Sequence, residues 1–123
     1  MKTIDEDIRT RQFKNTYLLY GDENYLKQQY KNKLKNALIS PDDTMNYSYY
    51  EGNNINPLEL IDVAQTMPFF AERRLILIED SGFFKKSCEE LADYIPEIPQ
   101  TAYIVFVESE IDKRGRLYKA VNK

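Results

Sequence analysis

Leu75-Ile76-Leu77-Ile78 sets four aliphatic side chains in a row with no polar residue among them. Successive strand residues point to opposite faces of a sheet, so such a run is stable as a strand only where both faces are covered. Ala102-Tyr103-Ile104-Val105-Phe106-Val107 has the same character, and Thr16-Tyr17-Leu18-Leu19-Tyr20, closed by Gly21, is a shorter example. Met45, Tyr47 and Tyr49 alternate with polar neighbours, which reads as a fourth strand with one wet face.

Between these runs the apolar period changes to that of a helix. Thr3 and Glu6 have capping-box spacing ahead of a helix over residues 4–12. Asp22 is the expected N-cap of the next, whose apolar stripe is Leu26, Tyr30, Leu34, Ala37 and Leu38. Lys27, Lys31 and Lys35 run beside it, either as a ridge facing phosphate or, the expectation preferred here, as a solvated face. Asn56, Pro57 and Glu59 form a clear N-terminal signal for a helix carrying Leu58, Leu60, Ile61, Ala64 and Met67, which Pro68 must end. Phe84, Cys88, Leu91, Ala92 and Ile95 mark one further helix, stopped by Pro96 and Pro99. Asp112 is the expected cap of a last helix with Leu117, Ala120 and Val121. Strands alternating with helices four times predict an α/β domain: a three-layer parallel sheet with helices on both faces. Its 123 residues suffice for one core, so residues 1–123 are read as one domain. With no closing strand after the last helix, the chain is expected to be a fragment of something longer, itself monomeric.

The composition removes several classes of function. A net charge of −3 gives no electrostatic case for wrapping nucleic acid or lying on an anionic membrane. The chain has no histidine and a single cysteine, Cys88, so self-contained zinc sites and histidine-based catalysis are excluded. No apolar run approaches the roughly 18 residues of a membrane span, and the acidic start is unlike a signal peptide. A cytoplasmic address is expected.

In a sheet of this kind the turn after the first strand is where phosphates are held, on backbone amides at a helix N-terminus. Here that turn reads Tyr20-Gly21-Asp22-Glu23-Asn24-Tyr25. It has one glycine, no lysine or hydroxyl for phosphate and magnesium, and two carboxylates that repel a nucleotide. No cofactor is expected. Glu79-Asp80, after the Leu75–Ile78 run, resembles a magnesium-binding acidic pair and supports an alternative reading as a nucleotide-dependent phosphotransferase or ATPase. Without a phosphate cradle, the simpler reading is that both carboxylates cap a turn and face water. Lys113, Arg114, Arg116, Lys119 and Lys123 near the last helix allow a third reading, as a DNA-binding face.

Met67-Pro68-Phe69-Phe70 is the most informative stretch. The preceding helix runs back from the C-terminal ends of the strands, so Pro68 releases the chain at the opposite end of the sheet. Adjacent phenylalanines in a turn point apart, which makes burying both awkward. One reading has a Phe closing the bottom of the core with the other half-exposed. The other has an exposed apolar plug for a protein partner. Composition leaves both open.

Taken in order, Tyr17–Glu23 with Tyr25-Leu26, Gln65–Ile78, Ile104–Val107, and Asp112-Lys113-Arg114 with Leu117-Tyr118-Lys119 resemble the N-terminal domain of the delta subunit of bacterial DNA polymerase III. The resemblance spans nearly the whole chain and is most specific in its middle block. It implies an AAA+-like (P-loop NTPase-like) domain without a functional P-loop, non-catalytic itself and part of a DNA-directed DNA polymerase holoenzyme. It implies that Met67, Phe69 and Phe70, stiffened by Pro68, bind the β sliding clamp, and that the subunit helps open this ring for loading onto DNA. Other clamp-loader subunits would be met largely through a C-terminal collar, and DNA only indirectly.

Overall fold

The computed structural model describes residues 2–86 and 88–122. The chain runs α1 (Lys2–Thr10), β1 (Thr16–Tyr20), α2 (Asn24–Leu38), β2 (Tyr47–Glu51), α3 (Pro57–Gln65), β3 (Arg74–Glu79), α4 (Phe83–Lys86), α5 (Glu89–Tyr94), a 3-10 turn (Ile95–Glu97), β4 (Ala102–Glu108) and α6 (Arg116–Val121). The four strands form one sheet in the order β1-β4-β3-β2, with every pairing parallel. The two fully apolar runs are its centre, where each strand has neighbours on both sides, and the alternating β2 is an edge.

The pleat sorts the core into two layers. Ile76, Ile78, Ile104 and Phe106 face a cluster built with Leu60 and Ala64 of α3, Phe84 of α4, Leu91 and Ala92 of α5, and Leu117 of α6. Leu75, Leu77, Val105 and Val107 face the other way, onto Ile4 of α1 and Leu34 and Leu38 of α2, with Tyr17 and Leu19 beside them. The three-layer arrangement is as expected. It follows from the strand order: the chain steps outward from β1 to β2 and then returns through β3 to β4. Right-handed crossovers in opposite directions put α2 on one face and α3 and α5 on the other.

Several boundaries differ from expectation. The α2 cap position is Glu23, not Asp22, and no side chain caps it. The one helix expected across Phe84–Ile95 is two short ones, because Cys88 is extended (φ −139°, ψ 101°). Asp112 does not cap α6, which starts after Gly115; its carboxylate instead accepts from the Arg114 backbone N–H at 2.9 Å. The Asn56 cap of α3 is as expected, with Oδ1 accepting from the Leu58 N–H at 3.0 Å.

Candidate functional site

Helix α3 returns to the N-terminal end of the sheet, and Thr66–Arg73 cross that end before β3 begins. Met67 is 70% exposed, Phe69 47% and Phe70 96%; neither phenylalanine joins the core. Pro68 between them is half-buried. The two rings pack edge to face with centroids 4.5 Å apart, so the segment presents one joined aromatic tip. The structure thus brings Met67, Pro68, Phe69 and Phe70 together on the surface.

Two buried polar residues hold this tip. Asn46, 1% exposed just before β2, pairs with the Phe69 backbone in both directions: Oδ1 accepts its N–H at 2.6 Å and Nδ2 donates to its carbonyl at 2.8 Å. The same Nδ2 donates to Asp43 at 2.9 Å, while Asp43 Oδ1 accepts the Met45 and Asn46 backbone N–H groups. These bonds, the Asn46 amide contributing most, hold the Asp43 carboxyl below its ordinary value. On the other side Arg74 donates to the carbonyls of Thr66 at 2.9 Å and Met67 at 3.2 Å. Phe70 sits at φ 53°, a left-handed conformation unfavourable for a residue with a Cβ. Held on both sides, the segment is pre-organised, which lowers the entropy lost on docking. Sequence reasoning missed Asn46 and Arg74. Asn46 follows Asp42-Asp43 and passes for a turn residue, and only the fold brings it 23 positions along the chain to Phe69.

Beside the tip lies a groove of about 510 Å³, walled by Leu38 and Ile39 at the end of α2, by Met45, and by Phe69, Phe70 and Arg73.

The opposite end of the sheet, beside the turn after β1, is internally tied. Glu79 is buried and does not face water as expected. It accepts from Gln28 Nε2 at 3.1 Å, Lys31 Nζ at 3.1 Å and the Tyr49 hydroxyl at 3.0 Å. Burial pushes the Glu79 carboxyl up, but these hydrogen bonds and the Lys31 charge outweigh it and hold the carboxyl below its ordinary value. Tyr49, through burial and its bond to Glu79, is pushed up to about 12. Lys27 is buried, with Nζ 3.4 Å from the Glu108 carbonyl, and Lys35 lies over the Tyr47 ring. The lysine stripe is therefore not a solvated face; it braces α2 against the sheet. Asp80 is separate from Glu79, exposed, and accepts from the Ser109 hydroxyl at 3.3 Å. Among the described residues no cluster of three metal-ligating side chains occurs, and no helix is long and apolar enough to cross a membrane. Asp22 and Glu23 lie exposed in the turn after β1.

The basic residues around α6 are largely engaged. Arg114 pairs with Asp112, Arg116 with Glu89 and Asp93, and Lys113 lies over the Tyr20 ring. Lys123 lies outside the described residues.

Comparison with known proteins gives a consistent result. The model of the family described as DNA polymerase III, delta subunit, matches residues 17–123. The DNA polymerase III subunit delta of Bacillus subtilis is 30% identical over 120 residues, covering 87% of this chain and 34% of the relative. This chain thus spans about a third of that protein. Among solved structures, the Bacillus subtilis DNA clamp loader delta protein superposes with a TM-score of 0.86 at 24% identity, over 99% of this chain and 40% of that one. A DNA polymerase III gamma subunit-related protein of Thermotoga maritima does so with a TM-score of 0.69 at 12% identity, over 97% of this chain and 42% of that one. The last two likenesses establish the fold, an AAA+-like parallel sheet, and the family match establishes the kinship: the chain belongs to the DNA polymerase III delta subunit family.

Proposed function

We propose that this chain is the clamp-gripping domain of a replication clamp loader, non-catalytic and cytoplasmic, and that Met67, Phe69 and Phe70 on the Pro68-stiffened segment enter an apolar pocket of the β sliding clamp. The observation that carries this reading is the Phe69–Phe70 pair, exposed yet held in place by Asn46 and Arg74. An apolar tip in water costs solvation, and rigid aromatic anchors are what dominate protein interfaces. Membership of the delta family supports a sliding clamp as the partner. The other loader subunits are further partners under this reading, and DNA would be met only through the loaded ring.

Gripping alone does not open a ring. A ligand shifts an equilibrium only by its preference for one state over the other. The plug would anchor the domain while the surface around it fits a relaxed clamp subunit better than one held in the closed ring. The test compares affinity for the closed clamp with affinity for clamp subunits kept monomeric by interface substitutions. Tighter binding to the monomer supports opening; equal affinity removes that role and leaves the chain as a tether. The alternative, a magnesium-dependent phosphotransferase using Glu79 and Asp80, is disfavoured because Lys31 occupies the Glu79 carboxylate and Asp80 lies apart.

A further inference from the structure

We propose that Arg73 and Arg11, both lying over the Phe13 ring, form a second contact that receives a carboxylate bordering the clamp pocket; this rests on the clamp-binding reading above. The strand order places the cluster. Phe13 precedes β1, Tyr103 opens β4 and Arg73 precedes β3, and these three strands are consecutive in the sheet. The Arg73 guanidinium lies 5.1 Å from the Phe13 ring centroid and 5.9 Å from that of Tyr103, and the Arg11 guanidinium lies 5.3 Å from Phe13. Arg73 also walls the groove beside Phe69 and Phe70, so the cluster and the plug form one continuous strip.

Two independent features single out these arginines. The other four are engaged within the chain: Arg9, Arg114 and Arg116 with carboxylates, Arg74 with carbonyls. Arg11 and Arg73 have no carboxylate or hydrogen-bond partner among the described residues. A guanidinium held over an aromatic ring and without a hydrogen-bond partner keeps its N–H groups available for bidentate pairing with a carboxylate. Arg11 moreover sits at φ 61° just past α1, where the Gln12 N–H reaches back to the Asp7 carbonyl at 3.2 Å. That is the helix-ending position glycine usually fills, and an arginine there adopts an unfavourable backbone to stand over Phe13.

A protein carboxylate suits the strip better than a nucleic-acid backbone. Glu72 and Asp42 are exposed at the same end and would repel a polyanion, as would the net charge of −3. A partner pocket that admits the plug brings only its rim to the arginines.

The experiment is a clamp titration across salt concentrations with the native chain, R11Q/R73Q, R73K and F69A/F70A, beside a duplex-DNA titration. The proposal expects R11Q/R73Q to bind the clamp about tenfold more weakly at low salt, the difference shrinking as salt rises. R73K, which keeps charge but loses the planar fork, falls between. F69A/F70A weakens binding at every salt concentration and keeps the native salt dependence. Native binding with R11Q/R73Q unchanged overturns this proposal and leaves clamp gripping intact. A loss confined to DNA overturns it in favour of a phosphate partner, and no clamp binding by the native chain overturns both readings.

Discussion

Glu79→Gln keeps the shape of the Glu79 side chain but leaves Lys31, whose side chain is 15% exposed, without a counter-charge. We expect a loss of about 1–3 kcal/mol in a denaturant melt, the range for a partly buried group robbed of its charged partner. The pH dependence follows from the direction of the shift. The folded Glu79 carboxyl titrates below its ordinary value, so its contribution is complete above the ordinary carboxylate range and is lost as pH falls through the folded value. Native protein should therefore lose stability on acidification below about pH 4.5, and E79Q should lose less over the same window; parallel profiles would contradict the pairing. The spacing of Lys27, Lys31 and Lys35 was legible in the sequence but its setting was not. A stripe on a helix looks solvated until the sheet end it crosses is known. Phe69 and Phe70 show the converse: adjacency alone made joint burial awkward, and both stand outside the core.

Most elements were readable because their signals are local. The apolar runs gave β3 and β4, and Asn56-Pro57 gave the start of α3. What failed were caps and breaks whose outcome depends on tertiary partners: Asp22, Asp112, and the division at Cys88. The loop between α3 and β3 belongs with these, since its conformation depends on Asn46 from another loop. Asn46→Ala strands the Phe69 N–H and carbonyl and removes the main partner of Asp43. We expect about 1–3 kcal/mol of lost stability at unchanged denaturant slope, together with weaker clamp binding because the tip is no longer pre-organised. Lost stability with undiminished affinity of the folded protein would confine Asn46 to a structural role.

The molecule as a whole keeps the parallel four-stranded sheet covered by helices on both faces, and the proposed function sets its two ends to different uses. The C-terminal end of the sheet presents Asp22 and Glu23 in the turn after β1 and commits Glu79 to Lys31. Calorimetric titration with ATP and magnesium should accordingly give no saturable heat, and a one-to-one micromolar isotherm would restore the phosphotransferase reading. The parallel architecture was legible from run lengths alone, whereas the strand order, and with it the strip from Phe13 to Phe70, required the fold. The clamp-binding reading places function at the N-terminal end. There Phe69→Ala with Phe70→Ala separates anchor from core, measured as a denaturant melt beside a clamp titration of the same protein. Surface truncations usually stay within about 0.5 kcal/mol, whereas two interface anchors at about 2 kcal/mol each cost on the order of a thousandfold in affinity if additive. As neighbours they can fall short of additivity, so we expect a native-like melt with at least about a hundredfold weaker clamp binding. A destabilised fold, or a stable fold that binds the clamp as tightly as the native chain, would contradict the assignment of Phe69 and Phe70 as the plug.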